Sequence, residues 1–163
     1  MRNLTATFCL TIAVFLGNTG ISWSADFQTG VAAYERRDYA TALSEWTPLA
    51  DQGNADAQGR LGEMYRQGAG VRQNNKTAVF WFRRAAEQGD IFAQVKLGGM
   101  YADGNGVAQD YVYAYMWWHI AATSLDRTAL RSKKSIEGKL SKVQLERAEA
   151  LVRECARKRY KGC

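Results

Sequence analysis

The stretch AQGRLGEMYRQGAGV at residues 57–71 returns 36 residues later as AQVKLGGMYADGNGV at residues 93–107. The segment that follows returns as well, because WFRRAAEQGD from Trp81 matches WWHIAATSLD from Trp117. The shared positions are a leucine, a glycine and a tyrosine followed by two loop glycines: Leu61, Gly62, Tyr65, Gly68 and Gly70, then Leu97, Gly98, Tyr101, Gly104 and Gly106. Self-similarity at a fixed period of about 20–50 residues indicates stacked repeat units.

The spacing within each unit predicts helices. Ala57, Leu61 and Tyr65 are four residues apart and lie on one helix face, and Ala78 and Phe82 have the same spacing in the next segment. Helix-capping residue types keep the 36-residue period in two series: Asp38, Asn74 and Asp110, and Asn54, Asp90 and Asp126. Each unit is therefore predicted to be a helix, a glycine loop and a second helix.

The predicted helices lie near 26–36, 39–52, 55–67, 75–88, 91–103, 111–124, 127–138 and 142–158. Residues 111–115 alternate in the manner of a strand, but the period aligns them with a helix. Gly62 and Gly98 fall inside helices, where each costs about 0.5–1 kcal/mol relative to alanine. We expect this recurring cost to allow close backbone approach between packed helices.

The domain organisation follows from the register. Residues 1–25 are predicted to be a signal peptide and 26–163 a helical repeat domain. That domain is divided into a degenerate first repeat (26–54), two full repeats (55–90 and 91–126) and a C-terminal cap (127–163). In the cap, Lys133 and Lys134 stand where Leu97 and Gly98 would recur, which suits an end that faces water.

The N-terminus has the composition of an export signal. Arg2 precedes an apolar stretch at residues 4–16, which is shorter than the roughly 20 residues that a membrane span needs. Small residues favour cleavage after Ser24, with Ala25 as the second possibility. We expect a periplasmic or secreted protein without a stable membrane anchor; an uncleaved anchor is the alternative.

Composition and charge narrow the classes of partner. A hydrophobic content of 47% and a charged content of 23% are typical of a globular protein. The net charge of +6 is concentrated at the end, since residues 127–163 carry 12 basic and 4 acidic groups. Interleaved glutamates favour a solvated helix face, with binding to an anionic envelope polymer as the alternative. Export makes nucleic acid an unexpected partner.

No catalytic, cofactor or metal motif is evident. The glycine loops follow helices, whereas a phosphate loop follows a strand. His119 is the single histidine, and the sequence places no nucleophile or orienting carboxylate beside it. Serine-hydrolase and β-lactamase motifs are absent. We therefore expect no enzymatic activity and no cofactor, with a cell-wall or β-lactam-related enzyme as the less favoured alternative.

Two cysteines, Cys155 and Cys163, remain after cleavage. An even pair in an exported protein favours a disulfide. Eight residues of straight helix span about 12 Å, which is too far for a bond, so the helix must end near Arg159. Free thiols, an intermolecular bond and a metal site are the alternatives.

The motifs LGEMYRQGAGV with WFRRAAEQG, and LGGMYADGNGV with WWHIAA, resemble the Sel-one-like repeats, which are relatives of the tetratricopeptide repeats. The resemblance covers about residues 26–125, and residues 126–163 look like the helical tail of exported members. It implies an all-α, right-handed superhelical solenoid of antiparallel helix pairs, closed by a C-terminal capping helix pair. It also implies an adaptor that binds another protein and has no chemistry of its own.

Two surfaces are candidates for binding that partner. The first is the outward side of each unit's first helix, comprising Arg60, Glu63, Gln67, Lys96 and Asp103. The second is the pair Tyr111 and Tyr113, which match the polar positions Asn75 and Thr77 of the preceding unit. Tyrosines at such positions are expected to be exposed, and tyrosine is enriched at binding hot spots.

Overall fold

A computed structural model describes residues 25–163 of the chain, and the predicted signal peptide lies outside these residues apart from its last position. The described part is all-helical, with eight helices and no strand. They are α1 (Phe27–Glu35), α2 (Tyr39–Asp51), α3 (Ala55–Gln67), α4 (Asn75–Ala86), α5 (Ile91–Asp103), α6 (Tyr111–Ala122), α7 (Arg127–Glu137) and α8 (Lys142–Arg157). Each predicted helix is present, with ends within two residues of those predicted. None of these helices has the length and apolar character needed to cross a membrane.

The predicted caps begin the helices. Asn54, Asp90 and Asp126 accept hydrogen bonds from the backbone N–H three residues later, at 2.8, 2.6 and 2.7 Å. Asp38, Asn74 and Asp110 act in the same way for α2, α4 and α6. Each cap satisfies a helix N–H that has no partner within the helix. The 36-residue period is therefore set by a short-range interaction that each unit makes by itself.

The helices pack as a row of hairpins. α1 packs on α2, α3 on α4 and α5 on α6, while α2–α3 and α4–α5 contacts join one hairpin to the next and α6–α7 contacts join the last hairpin to the C-terminal helices. Consecutive first helices also touch, α3 with α5 and α5 with α7. The fold is accordingly an all-α solenoid whose inner layer consists of α3, α5 and α7.

The helical glycines make room for aromatic rings. A Cβ placed on Gly62 would lie 2.7 Å from the Phe82 ring, and one on Gly98 would lie 2.7 Å from the Trp118 ring. The predicted close approach is thus between a helix backbone and an aromatic side chain, and not between two backbones. In the first hairpin Gly30 serves the same purpose for Trp46, one helical turn away from the register position of Gly62.

The second glycine of each loop joins neighbouring units. Gly70 lies against Tyr39, the first residue of α2, and Gly106 lies against Asn75, the first residue of α4. Both glycines have positive φ, +71° and +75°, and any side chain there would collide with the preceding unit. Glycine therefore sets the distance between successive hairpins.

The C-terminal helices cap the array in an arrangement of their own. α7 and α8 both pack on α6 and make few contacts with each other, so they do not form a hairpin of the repeat type. Lys134 occupies the position of Gly98, where an aromatic ring of a partner helix would have to lie. α8 instead covers the side of α6 that carries Met116.

A disulfide closes the end of the chain. Cys155 and Cys163 are bonded, with their Cα atoms 5.5 Å apart. As predicted, the helix ends first: Arg159 and Tyr160 have positive φ, and Gly162 turns the chain back. The Tyr160 ring then lies beside Gly89 at the end of α4. The bond thus ties the terminal segment to α8, where it lies close to the end of the first full repeat.

Candidate functional site

A groove of about 890 Å³ lies on the inner layer of the solenoid. Its floor is α5, its walls come from α3 and α7, and Trp118 of α6 closes it from below. Asn75, the first residue of α4, and the loop residue Asn105 border one end. Such a cavity has the size of known ligand sites, which are about 300–1,000 Å³.

The floor of the groove is apolar, and an open space above Gly99, here called the notch, interrupts it. Phe92 is 38% exposed, and Val95 and Gly99 follow it at helical spacing along α5. A Cβ on Gly99 would meet no atom within 4 Å, in contrast to one on the adjacent Gly98. Packing within the protein therefore does not require a glycine at position 99.

Two cations flank the exposed phenylalanine. The Arg60 guanidinium carbon lies 5.8 Å from the centre of the Phe92 ring, and Lys96 Nζ lies 5.0 Å from it. Arg60 and Lys96 occupy the same position of successive repeats. Both make cation–π contacts, which hold positive charge beside an apolar surface.

Glu63 does not lie on the exposed surface, so the prediction for this residue is wrong. It is only 8% exposed and accepts hydrogen bonds from Arg66 Nε and Nη2 at 2.9 and 2.7 Å. Gln67 and Lys96 donate to the same carboxylate. Burial acts to raise the pKa of Glu63, but the hydrogen bonds from Arg66 and the charge of Lys96 outweigh it and lower that pKa. Glu63 therefore fixes the cations of the groove wall.

The other predicted groove residues are placed as follows. Lys96 and Asp103 line the groove, Arg60 lies over Phe92 at its edge, and Gln67 is exposed at the end of α3. Asp126 lines the far end, although its carboxylate is engaged by the N–H of Ala129. The groove thus has cations on the α3 side and a free-standing carboxylate, Asp103, at the end of α5.

Tyr111 and Tyr113 lie apart from the groove and are half-buried. The Tyr113 ring stacks on Tyr101 with ring centres 5.2 Å apart, and Lys139 Nζ lies 5.3 Å from the Tyr111 ring. Their exposure is lower than expected because α6 turns this side toward neighbouring helices. The two candidate surfaces do not form one site.

His119 lies on α6 and is half-buried. Its Nδ1 lies 3.4 Å from the Tyr115 hydroxyl, and burial together with the nearby Lys133 charge lowers its pKa. Within residues 25–163 no carboxylate hydrogen-bonds to this imidazole. Over the same residues, no group of three or more His, Cys, Asp or Glu side chains could hold a metal ion. The groove offers donors, acceptors and an apolar floor, which is an arrangement suited to binding.

Phe92, Val95, Gly99 and Trp118 were missed by the sequence analysis. Their signal was present as differences between the aligned repeats, since α3 has Asp56, Gly59 and Glu63 where α5 has the three floor residues. A position that changes character between units, while its neighbours repeat, marks a surface that the fold itself does not require.

Comparisons with known proteins agree with this architecture. The family model described as Sel1 repeat matches residues 55–90 and 91–124. A protective antigen of uropathogenic Escherichia coli that displays an SLR fold is similar in structure, with a TM-score of 0.77 and 33% identity. A Sel1 repeat protein from Oxalobacter formigenes gives a TM-score of 0.66 and 31% identity. No curated protein matches the chain significantly.

The matches cover most of this chain but only part of the solved proteins. The alignment spans 80% of this chain and 29% of the E. coli antigen, and 75% of this chain and 53% of the Oxalobacter protein. Sel1-repeat proteins are generally scaffolds that bind other proteins. The chain therefore contains two Sel1 repeats, at residues 55–90 and 91–124.

Proposed function

We propose that the protein is a non-catalytic scaffold that binds an extended segment of another protein in the groove above α5. The observation that carries this proposal is the notch at Gly99 beside the exposed ring of Phe92. A glycine within a helix costs about 0.5–1 kcal/mol, and at this position no contact within the protein offsets that cost. A bound backbone or small side chain seated on Gly99 gives the glycine its purpose.

The charges around the groove define the bound segment further. Arg60, Arg66 and Lys96 lie on the α3 side, and Asp103 stands at the opposite end of α5. The segment should therefore carry an acidic residue near Phe92, an apolar residue over the floor, and a basic or amide residue near Asp103. Since the walls are already ordered by capping and ion pairs, binding would require little ordering of the scaffold.

The same proposal places the protein outside the cytosol. The apolar stretch at residues 4–16 followed by small residues has the composition of a cleaved signal, and the Cys155–Cys163 bond suits an oxidising compartment. Fractionation of cells together with mass spectrometry of the N-terminus tests it. Recovery of the intact N-terminus in the cytosolic fraction would contradict export.

The binding groove is tested with a pair of variants that add the same side chain. Gly99→Leu fills the notch, whereas Ala150→Leu places the same side chain on the exposed face of α8. A partner captured from envelope extract by the wild type and by Ala150→Leu, and lost with Gly99→Leu, identifies the ligand of the groove. The bound segment is then found by titrating synthetic peptides of that partner.

Three outcomes would contradict the proposal. Equal capture by all three proteins would place the binding surface outside the groove. Loss of all capture at about 0.3 M salt would favour the alternative of an anionic envelope polymer, because screening shortens the range of charge interactions to well under 10 Å. An enzyme would be indicated by turnover that His119→Ala abolishes.

A further inference from the structure

Leu125, in the turn between α6 and α7, is unusual in two respects. Leu125 is 80% exposed to solvent, and its φ is +61°, in the left-handed region that favours glycine. The equivalent positions of the earlier units are Gly53 and Gly89, with φ of +101° and +91°. A large apolar residue thus stands where the repeat uses glycine, and its side chain projects into solvent.

The turn requires a left-handed residue, as Gly53 and Gly89 show, but nothing in residues 25–163 requires that residue to be a leucine. A leucine in the left-handed region is strained, and an exposed leucine gains nothing from burial. The structural observation therefore points to a contact made outside the chain.

The surface next to Leu125 is basic and also apolar. Arg127, Leu130, Arg131 and Lys134 are all exposed, and their spacing places them on one stripe of α7. The core side of this helix is formed by Ala129 and Ile136. Of the nearby carboxylates, Asp126 caps α7 and Glu137 lies at its last residue.

Among residues 25–163 nothing covers this stripe, because of the way in which the array ends. In α5 the equivalent side packs on its hairpin partner, with Gly98 receiving the Trp118 ring. In α7 the equivalent residue is Lys134, and α8 packs on α6 instead. The end of the solenoid therefore presents an open, positively charged helix face.

We propose that Leu125 and the stripe of α7 dock the protein onto an anionic phospholipid surface. The three cations would lie at the headgroups, and Leu125 and Leu130 would enter the boundary with the acyl chains. An anionic polymer would use the charges but would leave the leucines in water. A protein partner would need a pocket to receive Leu125, whereas a bilayer takes a projecting side chain without one.

The test measures binding to vesicles by flotation. The protein is produced from the full-length sequence and its N-terminus is read by mass spectrometry, because a retained apolar segment would itself bind lipid. The vesicles contain equal parts of phosphatidylglycerol and phosphatidylcholine, or phosphatidylcholine alone. We expect the wild type to bind the anionic vesicles and not the neutral ones.

Variants separate the apolar contribution from the charges. Leu125→Gly should weaken binding by about tenfold or more, since the leucine can no longer be buried, while its fold becomes more stable because the strain is removed. Arg131→Gln should weaken binding about fivefold. Phe80→Ser is the matched control, because Phe80 is also an exposed apolar residue beside an arginine, and it should bind as the wild type does.

Three results would overturn the inference. The first is equal binding to both kinds of vesicle, and the second is full binding by Leu125→Gly, which would indicate adhesion by charge alone. The third is an equal loss with Phe80→Ser, which would indicate unspecific hydrophobic contact. Gly99→Leu should bind vesicles normally, so failure of the groove proposal and failure of this one are distinguishable.

Discussion

The two matched repeats have the same backbone plan but opposite surroundings at their second helices. Phe80 of α4 is 53% exposed, whereas Met116, the same position of α6, is 1% exposed. The cause is α8, which covers α6 and has no counterpart over α4 among the described residues 25–163. A position in a repeat therefore fixes where a side chain points, while the neighbouring element decides whether water reaches it.

The sequences of the two helices follow this difference. Over α4 the outward side carries Arg84, whose guanidinium carbon lies 5.2 Å from the Trp81 ring centre and 5.6 Å from that of Phe80. At the matching positions α6 has the apolar residues Ile120 and Trp117, both buried. A helix enclosed by α5, α7 and α8 has to be apolar on almost every side.

The largest expected effect on the free energy of unfolding comes from placing a charge at Met116, compared with the same change at its matched position, Phe80. Met116→Asp should lower the free energy of unfolding by about 3–4 kcal/mol, because an unpaired carboxylate would be buried beneath α8. Phe80→Asp should change it by no more than about 0.5 kcal/mol. Denaturant unfolding of both variants measures the difference, and similar losses would show that α8 does not protect α6 in solution.

The next largest effect is expected from removing the disulfide bond that holds the end of α8. Replacing both Cys155 and Cys163 by serine should cost about 2–3 kcal/mol in the chain-entropy model. The loss should concentrate in α8 and α6, while α3 and α4 keep their protection. Hydrogen exchange followed by mass spectrometry resolves the helices; uniform loss along the chain would mean that the array unfolds as one unit.

Substitutions in the turns after α6 and α4 should give smaller effects on stability, of opposite sign. Leu125→Gly should raise the free energy of unfolding by about 1 kcal/mol, since the left-handed conformation costs a leucine about that much. Gly89→Ala should lower it by a similar amount for the same reason. Thermal melts of the two variants give the signs, and a destabilised Leu125→Gly would reveal an internal role for the leucine.

The smallest effect concerns the first helices, in which Glu63 of α3 corresponds to Gly99 of α5. The pKa of Glu63 is held below its ordinary value in the folded protein. This carboxylate therefore stabilises the fold at pH values above its ordinary pKa, which is near 4.5. That contribution is lost as the pH falls through the lowered pKa. Glu63→Gln should flatten the decline in stability below about pH 4.5; an unchanged pH profile would contradict the ion pairs.

Much of this architecture was predictable because its causes are local. Capping by Asn54, Asp90 and Asp126 depends on residues three positions apart, and the left-handed turns at Gly53 and Gly89 depend on one residue each. The helical state of residues 111–115, which alternate as a strand would, followed from the register alone. The disulfide was favoured by the even number of cysteines, on the condition that the helix ended before Cys163.

The candidate site was predictable only in part. The sequence predicted a surface on the first helices, and three of its residues, Arg60, Lys96 and Asp103, lie at the groove. It misjudged Glu63 because the exposure of a carboxylate on a helix depends on cations from that helix and the next unit. It missed Gly99 because an unfilled space above a residue is a property of the surrounding elements.

The sequence by itself determined the number, bounds and order of the helices, since hydrogen bonds and turns between near neighbours specify them. Tertiary structure decided which faces are covered: that α8 lies on α6, that α7 is open, and that Phe82 and Trp118 rest on glycines. The physical reason is that burial is shared between segments far apart in the chain. Its outcome depends on which of them come together, and no local pattern records that.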